Sequence, residues 1–260
     1  MARDRYTIDI LDRALDVLES FFQSAGDWQS LGEISQRLGL TKSRTFRILS
    51  TLKARGYIEQ HPQSAKYRLG LRLYELGELV HCRMELWQVA EPILAELAKA
   101  CGDTVHLIIR DGADAVCVGK WYGDQVVQVA DPVWRRSPLY AGASPKLLFA
   151  FLPEEEREEL LQRIELKRLA PNTITDREEL RARLAQIREQ GYGTAEQDLD
   201  EGVCAVSGPV RNASGQVIAA VSITCPCNRF YARREMLIRM VLRATEEISR
   251  QLGYGCAGGK

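Results

Sequence analysis

A two-domain α+β chain is what this sequence predicts, and three observations carry the prediction. Residues 31–57, LGEISQRLGLTKSRTFRILSTLKARGY, hold two short helical patterns around a Gly39-Leu40 corner. Alternating strand patterns with turn signals fill residues 104–130 and 203–224, and charged amphipathic helices lie between and after them. A helical pattern from Gly70 to Cys101 separates the two regions. The expected boundaries are therefore 1–70 for the first domain, 71–85 for a linker helix and 86–255 for the second domain. At 260 residues the chain has room for a module of roughly 80 residues and a second domain with its own core.

The first domain opens with Ile10, Leu11, Ala14, Leu15, Leu18 and Phe22, an apolar stripe expected to pack behind the helix pair. Ser30 and Glu33 stand at capping-box spacing, so hydroxyl and carboxylate each satisfy an unpaired backbone N–H. Leu31, Ile34 and Leu38 follow on one face until Gly39, which can adopt the left-handed conformation of a helix end. Thr41 is placed to cap the next helix, expected to run to about Arg55 before Gly56.

In that second helix Ile48, Leu49 and Leu52 form the inward stripe, extended by Thr45, and Phe46 between the faces reads as packing. Ser43, Arg44, Arg47 and Thr51 fall on the opposite side, with Lys42 at the helix start. Arg can bond a guanine edge through two hydrogen bonds, while Lys, Ser and Thr reach phosphates or bases. Leu31, Ser35, Thr41 and Thr45 complete the residues assigned to DNA contact on the pair.

Residues Tyr57-Ile58-Glu59 and Lys66-Tyr67-Arg68-Leu69 alternate like a small hairpin around His61 and Pro62. A hairpin directly after the second helix makes a winged helix-turn-helix, with Gln63 and Lys66 as phosphate contacts at the wing. His61 receives no metal or acid–base role. Charge supports a polyanion partner. Residues 30–72 carry nine Lys or Arg against two acids, Glu33 and Glu59, while the whole chain nets zero.

The linker pattern continues through Leu79, Leu86, Val89, Ile93, Leu94 and Leu97, with Pro92 either kinking one helix or starting another. Three strands are expected next, at 104–110, 115–121 and 125–130. Ser144 as cap and Pro145 at the first helical position open a helix. Helices at 153–164 and 176–190, a hairpin of 203–211 with 216–224, and a closing helix at 229–252 complete a GAF-like α/β domain.

Other classes find little support. No P-loop, dinucleotide fingerprint, nucleophile elbow or H-E-x-x-H motif occurs, so no catalytic residue and no cofactor is assigned and the chain is read as a non-enzyme. His106, in an apolar strand, reads as a satisfied core histidine, and His81-Cys82 has no clear partner. Seven Cys without framework spacing read as reduced thiols of a cytoplasmic protein. Cys225-Pro226-Cys227 is too tight for a zinc chelate, so no metal site is assigned. A thiol- or metal-dependent redox sensor using Cys204, Cys225 and Cys227 stays open as the alternative. No stretch approaches a membrane span.

The order of elements resembles the IclR family of bacterial transcriptional regulators over essentially the whole chain. The resemblance is carried by residues 10–18 (ILDRALDVL), the helix pair, Tyr67-Arg68-Leu69-Gly70, residues 137–141 (SPLYA) leading to Lys146-Leu147-Leu148, and residues 202–222 of the hairpin. It implies a cytoplasmic homodimer or dimer of dimers on a pseudo-palindromic double-stranded operator. It also implies a small-molecule effector, an organic acid by residue chemistry, that controls a metabolic operon. Family effector positions fall on Ala143, Ser144, Val203, Ala205, Ser222 and Thr224, with Val126 as an apolar wall and Glu196 and Asp198 at an acidic edge. One departure stands out: Pro145 replaces the Gly many members have before the Lys, and its missing N–H weighs against anion binding at that helix start.

Overall fold

Helix α1 (Asp9–Glu19) leads into the helix pair in the computed structural model, which describes residues 8–23, 28–81, 85–130 and 132–255. α2 (Leu31–Leu38) starts on the predicted capping box: the Glu33 N–H donates to Ser30 Oγ at 3.2 Å and the Ser30 N–H to the Glu33 carboxylate at 2.6 Å. Gly39 ends it at φ +63°, a left-handed conformation that a side chain would strain. Thr41 then accepts from the Arg44 N–H and opens α3 (Lys42–Ala54). The wing is β1 (Ile58–Gln60) paired antiparallel with β2 (Tyr67–Leu69), and α4 (Leu71–His81) follows.

The core of this first unit joins Val17, Ile34, Ile48, Leu49, Ile58 and Tyr67. α1 contributes through Ala14, Val17 and Leu18, not through all of the predicted stripe. Ile10, Leu11, Leu15 and Phe22 remain 50–82% exposed, because the unit offers α1 only one face to bury.

The second unit comprises residues 85–260. Its elements are α5 (Glu85–Cys101), β3 (Thr104–Asp111), β4 (Asp114–Trp121), β5 (Arg136–Pro138), α6 (Ala143–Ala150), α7 (Glu154–Arg163), α8 (Arg177–Gln190), β6 (Gly193–Glu196), β7 (Val203–Arg211), β8 (Val217–Pro226) and α9 (Cys227–Gln251). The strands form one antiparallel sheet in the order β5-β4-β3-β8-β7-β6. Pro92 lies inside α5, on its exposed side. Cys82 lies outside the described residues, as do the side chains of His81 and Leu79.

Period-two alternation assigns the two sheet faces. Val105, Leu107, Val206, Val221, Ile223 and Cys225 pack with α5 and α9. Their neighbours His106, Ile108, Ala205, Ala220, Ser222 and Thr224 face the other way, toward the side covered by α6 and α8. Asp103, fully buried before β3, accepts from Arg229 at 2.6 Å and Arg233 at 2.9 Å, tying α9 to the sheet.

Two expectations need correction. Residues 125–130 form no strand; their backbone is held by side chains instead, with Thr104 Oγ1 donating to the Val129 carbonyl and Arg229 to that of Val127. The edge of the sheet beside β4 is the short β5. Likewise α6 begins at Ala143 with Gly142 before it, so Ser144 is not its cap and Pro145 is its third residue. The Ser144 hydroxyl bonds Ser207 across the domain.

Candidate nucleic-acid interface and ligand pocket

On α3 the residues that do not serve the core are the ones a polyanion would meet. Lys42, Ser43 and Arg47 are exposed, as is Thr51, whose hydroxyl donates to the Arg47 carbonyl at 3.0 Å. Arg44 is half-buried and ion-paired to Asp9 of α1. Phe46, read as packing, is 52% exposed beside Arg47, because Thr45 and Leu49 already fill the interface. At the wing Gln63 and Lys66 are exposed, and His61 Nδ1 accepts from the Gln63 and Ser64 N–H groups, which shapes the turn.

In the second unit a cavity of about 80 Å³ opens between the sheet face that carries His106 and Thr224 and the start of α6. Gly142, at φ +94°, turns its N–H to Asp198 Oδ1 at 3.1 Å, and Lys146 from the next turn donates to Asp198 Oδ2. Both partners of this ion pair are about 5% exposed. Nearer solvent, Arg135 pairs with Asp200 at 2.7 Å. Ser144 and Ser207 share a hydrogen bond of 2.9 Å, and Thr224 Oγ1 lies 3.3 Å from His106 Nδ1. Burial, with Lys120 and Arg135 adding, pushes the His106 pKa down to about 3, so its ring is neutral. The charges around the cavity cancel in pairs: Asp198 with Lys146, Asp200 with Arg135.

The first unit carries a basic exposed helix and a wing, and the second unit carries a polar cavity; each is matched by a family model. Residues 10–62 match the IclR helix-turn-helix domain and residues 79–250 the C-terminal domain of the bacterial transcriptional regulator IclR. The chain belongs to the IclR family. Among the family's transcriptional regulators, XynR of Escherichia coli is 37% identical across 95% of this chain and 98% of its own length. KdgR of the same organism is 35% identical across 94% and 96%. Among solved structures, Thermotoga maritima IclR superposes with a TM-score of 0.79 at 30% identity, covering 95% of this chain and all of that one. An IclR homologue from Microbacterium hydrocarbonoxydans, complexed with 4-hydroxybenzoate, superposes at 0.84 with 28% identity over 94% of this chain and 98% of its own. These relatives are regulators, not enzymes, and so is this chain: a ligand-responsive, DNA-binding IclR-family regulator.

Within that frame the predicted DNA-contacting residues separate. Thr41, Lys42, Ser43, Arg44, Arg47, Thr51, Gln63 and Lys66 reach the surface. Two do not. Thr45 is fully buried and donates to the Thr41 carbonyl. Ser35 is 5% exposed and donates to the Leu31 carbonyl. Leu31 is half-buried against the core of the first unit.

The predicted effector positions separate as well. Ala143, Ser144, Asp198, Val203, Ala205, Ser222 and Thr224 all line the cavity. Val126 does not; it is fully exposed on a loop. Glu196 does not either. Ala195 takes the cavity side of β6, so Glu196 turns away and accepts from the Tyr231 hydroxyl at 3.2 Å. Sequence reading missed His106, Arg135 and Asp200 as lining residues. His106 stands in register with Ser222, but that register is set by the sheet and not by spacing along the chain.

The cysteines also depart from expectation. Cys204 and Cys227 are joined by a disulfide, their Cα atoms 4.9 Å apart. Register is the reason: Cys204 pairs with Cys225 on β8, and the chain turns into α9 two residues later. Cys225 faces the core instead, where burial pushes its thiol up to about 12.

Proposed function

We propose that this regulator binds a pseudo-palindromic operator as a cytoplasmic homodimer or dimer of dimers, and that a small organic acid in the cavity controls a catabolic operon. The cavity carries the reading: seven of the nine residues assigned to the effector line it, out of elements far apart in the chain. The benzoate-type ligand of the Microbacterium hydrocarbonoxydans homologue supports an acid. Asp198 already fills the start of α6, so the ligand carboxylate goes to Arg135. That residue exchanges Asp200 for the ligand at little cost, both partners being about a third exposed. DNA contact falls to the exposed residues of α3 and the wing, with Arg47 toward base edges and Lys42, Gln63 and Lys66 toward phosphates. The exposed apolar row Ile10, Leu11 and Leu15 supports a second copy against α1. The domains proposed are 1–70 and 86–255, with 71–85 as the helical connection.

Two measurements test this. A mobility-shift and footprinting experiment on the DNA flanking the gene is expected to show paired half-sites, released or tightened by an acid. Equal binding to any DNA sequence at fixed salt would remove the operator reading. A thermal-shift screen of organic acids is expected to yield a rise in melting temperature, and a flat screen would remove the acid.

A second reading is favoured by the Cys204–Cys227 bond. Disulfides are rare in cytosolic proteins except as redox devices, and Cys204 lines the cavity. Oxidation by a hydroperoxide would join the two thiols with loss of two protons and two electrons, reducing the peroxide to an alcohol and water. Identical DNA and ligand affinities in reduced and oxidised protein would remove it.

A further inference from the structure

Several polar side chains of α3 already serve the fold. Thr41 Oγ1 accepts from the Arg44 N–H and lies 3.3 Å from the Ser43 hydroxyl, Arg44 is ion-paired to Asp9, and Thr51 donates to the Arg47 carbonyl. Phe46 does not serve it. The residue lies outside the apolar core of the first unit, and its ring is 52% exposed. One helical turn away stand Lys42, Ser43 and Ser50, all exposed, and on the inner side the buried Leu49. Folding gives no reason for a benzyl group here, since a polar residue would hold the same helix without leaving apolar surface in water. A second copy of the chain is a poor cover for it, because Lys42 and Arg47 beside the ring would be buried with it. Its place sets it apart from a stray surface hydrophobe: it is the fifth residue of α3, in the N-terminal part that meets base edges in a helix-turn-helix.

We propose that Phe46 is a specificity-determining residue that reads a thymine, its ring packing on the 5-methyl group in the major groove beside the base edge met by Arg47. This rests on the reading of α3 as the helix that enters the groove. The thymine methyl is the apolar group a major groove offers, and ring and methyl both leave water on contact. Cytosine at the same place has no methyl, and its amino group would lose water against a ring that gives it no acceptor. An A·T pair is thereby preferred over G·C without a hydrogen bond. Burial of one methyl group corresponds to about fourfold in affinity for each half-site.

A duplex selected from random sequences by the full-length protein supplies the probe, and each of its thymines is replaced in turn by uracil, which pairs alike and lacks only the methyl. Mobility shifts at fixed salt compare wild type, Phe46→Ala and Arg47→Ala. In wild type one thymine of a half-site is expected to lose about fourfold in affinity on replacement by uracil, and more on replacement by cytosine. Phe46→Ala is expected to bind the thymine and uracil duplexes alike, whereas Arg47→Ala binds both more weakly and keeps the difference. With 5-iodouracil at that position, near-ultraviolet light is expected to crosslink the wild-type protein through Phe46, a result that needs no variant to fold. A flat uracil scan, a difference that survives in Phe46→Ala, or a crosslink elsewhere or nowhere overturns the role of Phe46, while weaker binding by Arg47→Ala leaves α3 as the reading helix. Selection that enriches no sequence, or unchanged affinity in both variants, overturns both readings.

Discussion

The exposed basic helix α3 and the cavity of the second unit solve opposite problems with polar side chains. On α3, Lys42, Ser43 and Arg47 stand in solvent and are exposed to a partner, while a short inward stripe holds the helix. Around the cavity Asp198, Lys146, Ser144, His106 and Thr224 are buried and bonded to other protein groups before any ligand arrives. A surface site can therefore lose a functional side chain and keep its fold. A buried site risks the fold with each change, because a polar atom stripped of its partner stays desolvated.

The largest expected effect breaks the cavity side of this contrast. Asp198→Ala leaves the Lys146 ammonium buried without its carboxylate and is expected to lower stability by about 3–5 kcal/mol in urea unfolding. A double variant, Asp198→Leu with Lys146→Met, should recover much of it. A loss under about 1 kcal/mol for the single change would mean that the pair does not hold the start of α6. On the DNA side, Arg47→Ala is expected to cost about 1–3 kcal/mol of operator affinity, with unfolding shifted by no more than about 0.5 kcal/mol. Arg44→Ala should cost less affinity than Arg47→Ala, since Arg44 must first leave Asp9; the reverse order would sink that argument.

Acid separates the two regions next. The folded pKa of His106, about 3, lies below the unfolded value near 6.5, so the unfolded chain takes up the proton first. The stability associated with the neutral ring is intact above about pH 6.5 and drains as pH falls toward 3. Between pH 7 and 5 this amounts to about 2 kcal/mol. Urea titrations at both values should show it in wild type and not in His106→Leu. The smallest effect is local to the first unit: Ser30→Ala removes one half of the capping box and should cost about 1 kcal/mol.

Legibility followed the same division. Ser30, Glu33, Gly39 and Thr41 act on backbone groups within three or four residues, so spacing alone located both helices of the pair. The family resemblance supplied Val203, Ala205, Ser222 and Thr224; alternation on β7 and β8 adds only that such positions share one face. The same rule applied to β3 puts His106 on that face, but alternation does not say whether a buried nitrogen has a partner. Residues 125–130 show the opposite failure. Their Val-rich alternation is that of a strand, yet Thr104 and Arg229 hold the backbone that a neighbouring strand would need.

From the sequence alone came the winged head, its basic face, the α/β second domain and the hairpin rows, because each is written in contacts or periodicities of a few residues. Tertiary structure alone decided which side chains meet. Lys146 finds Asp198 across 52 residues, Ser144 finds Ser207 across 63, and His106 finds Thr224 across 118. It also decided that Thr45 and Ser35 are buried, that Glu196 turns outward and that Cys204 meets Cys227. The physical reason is range: a cap or a stripe is set by neighbours along the chain, whereas burial and pairing are set by what the fold brings from elsewhere.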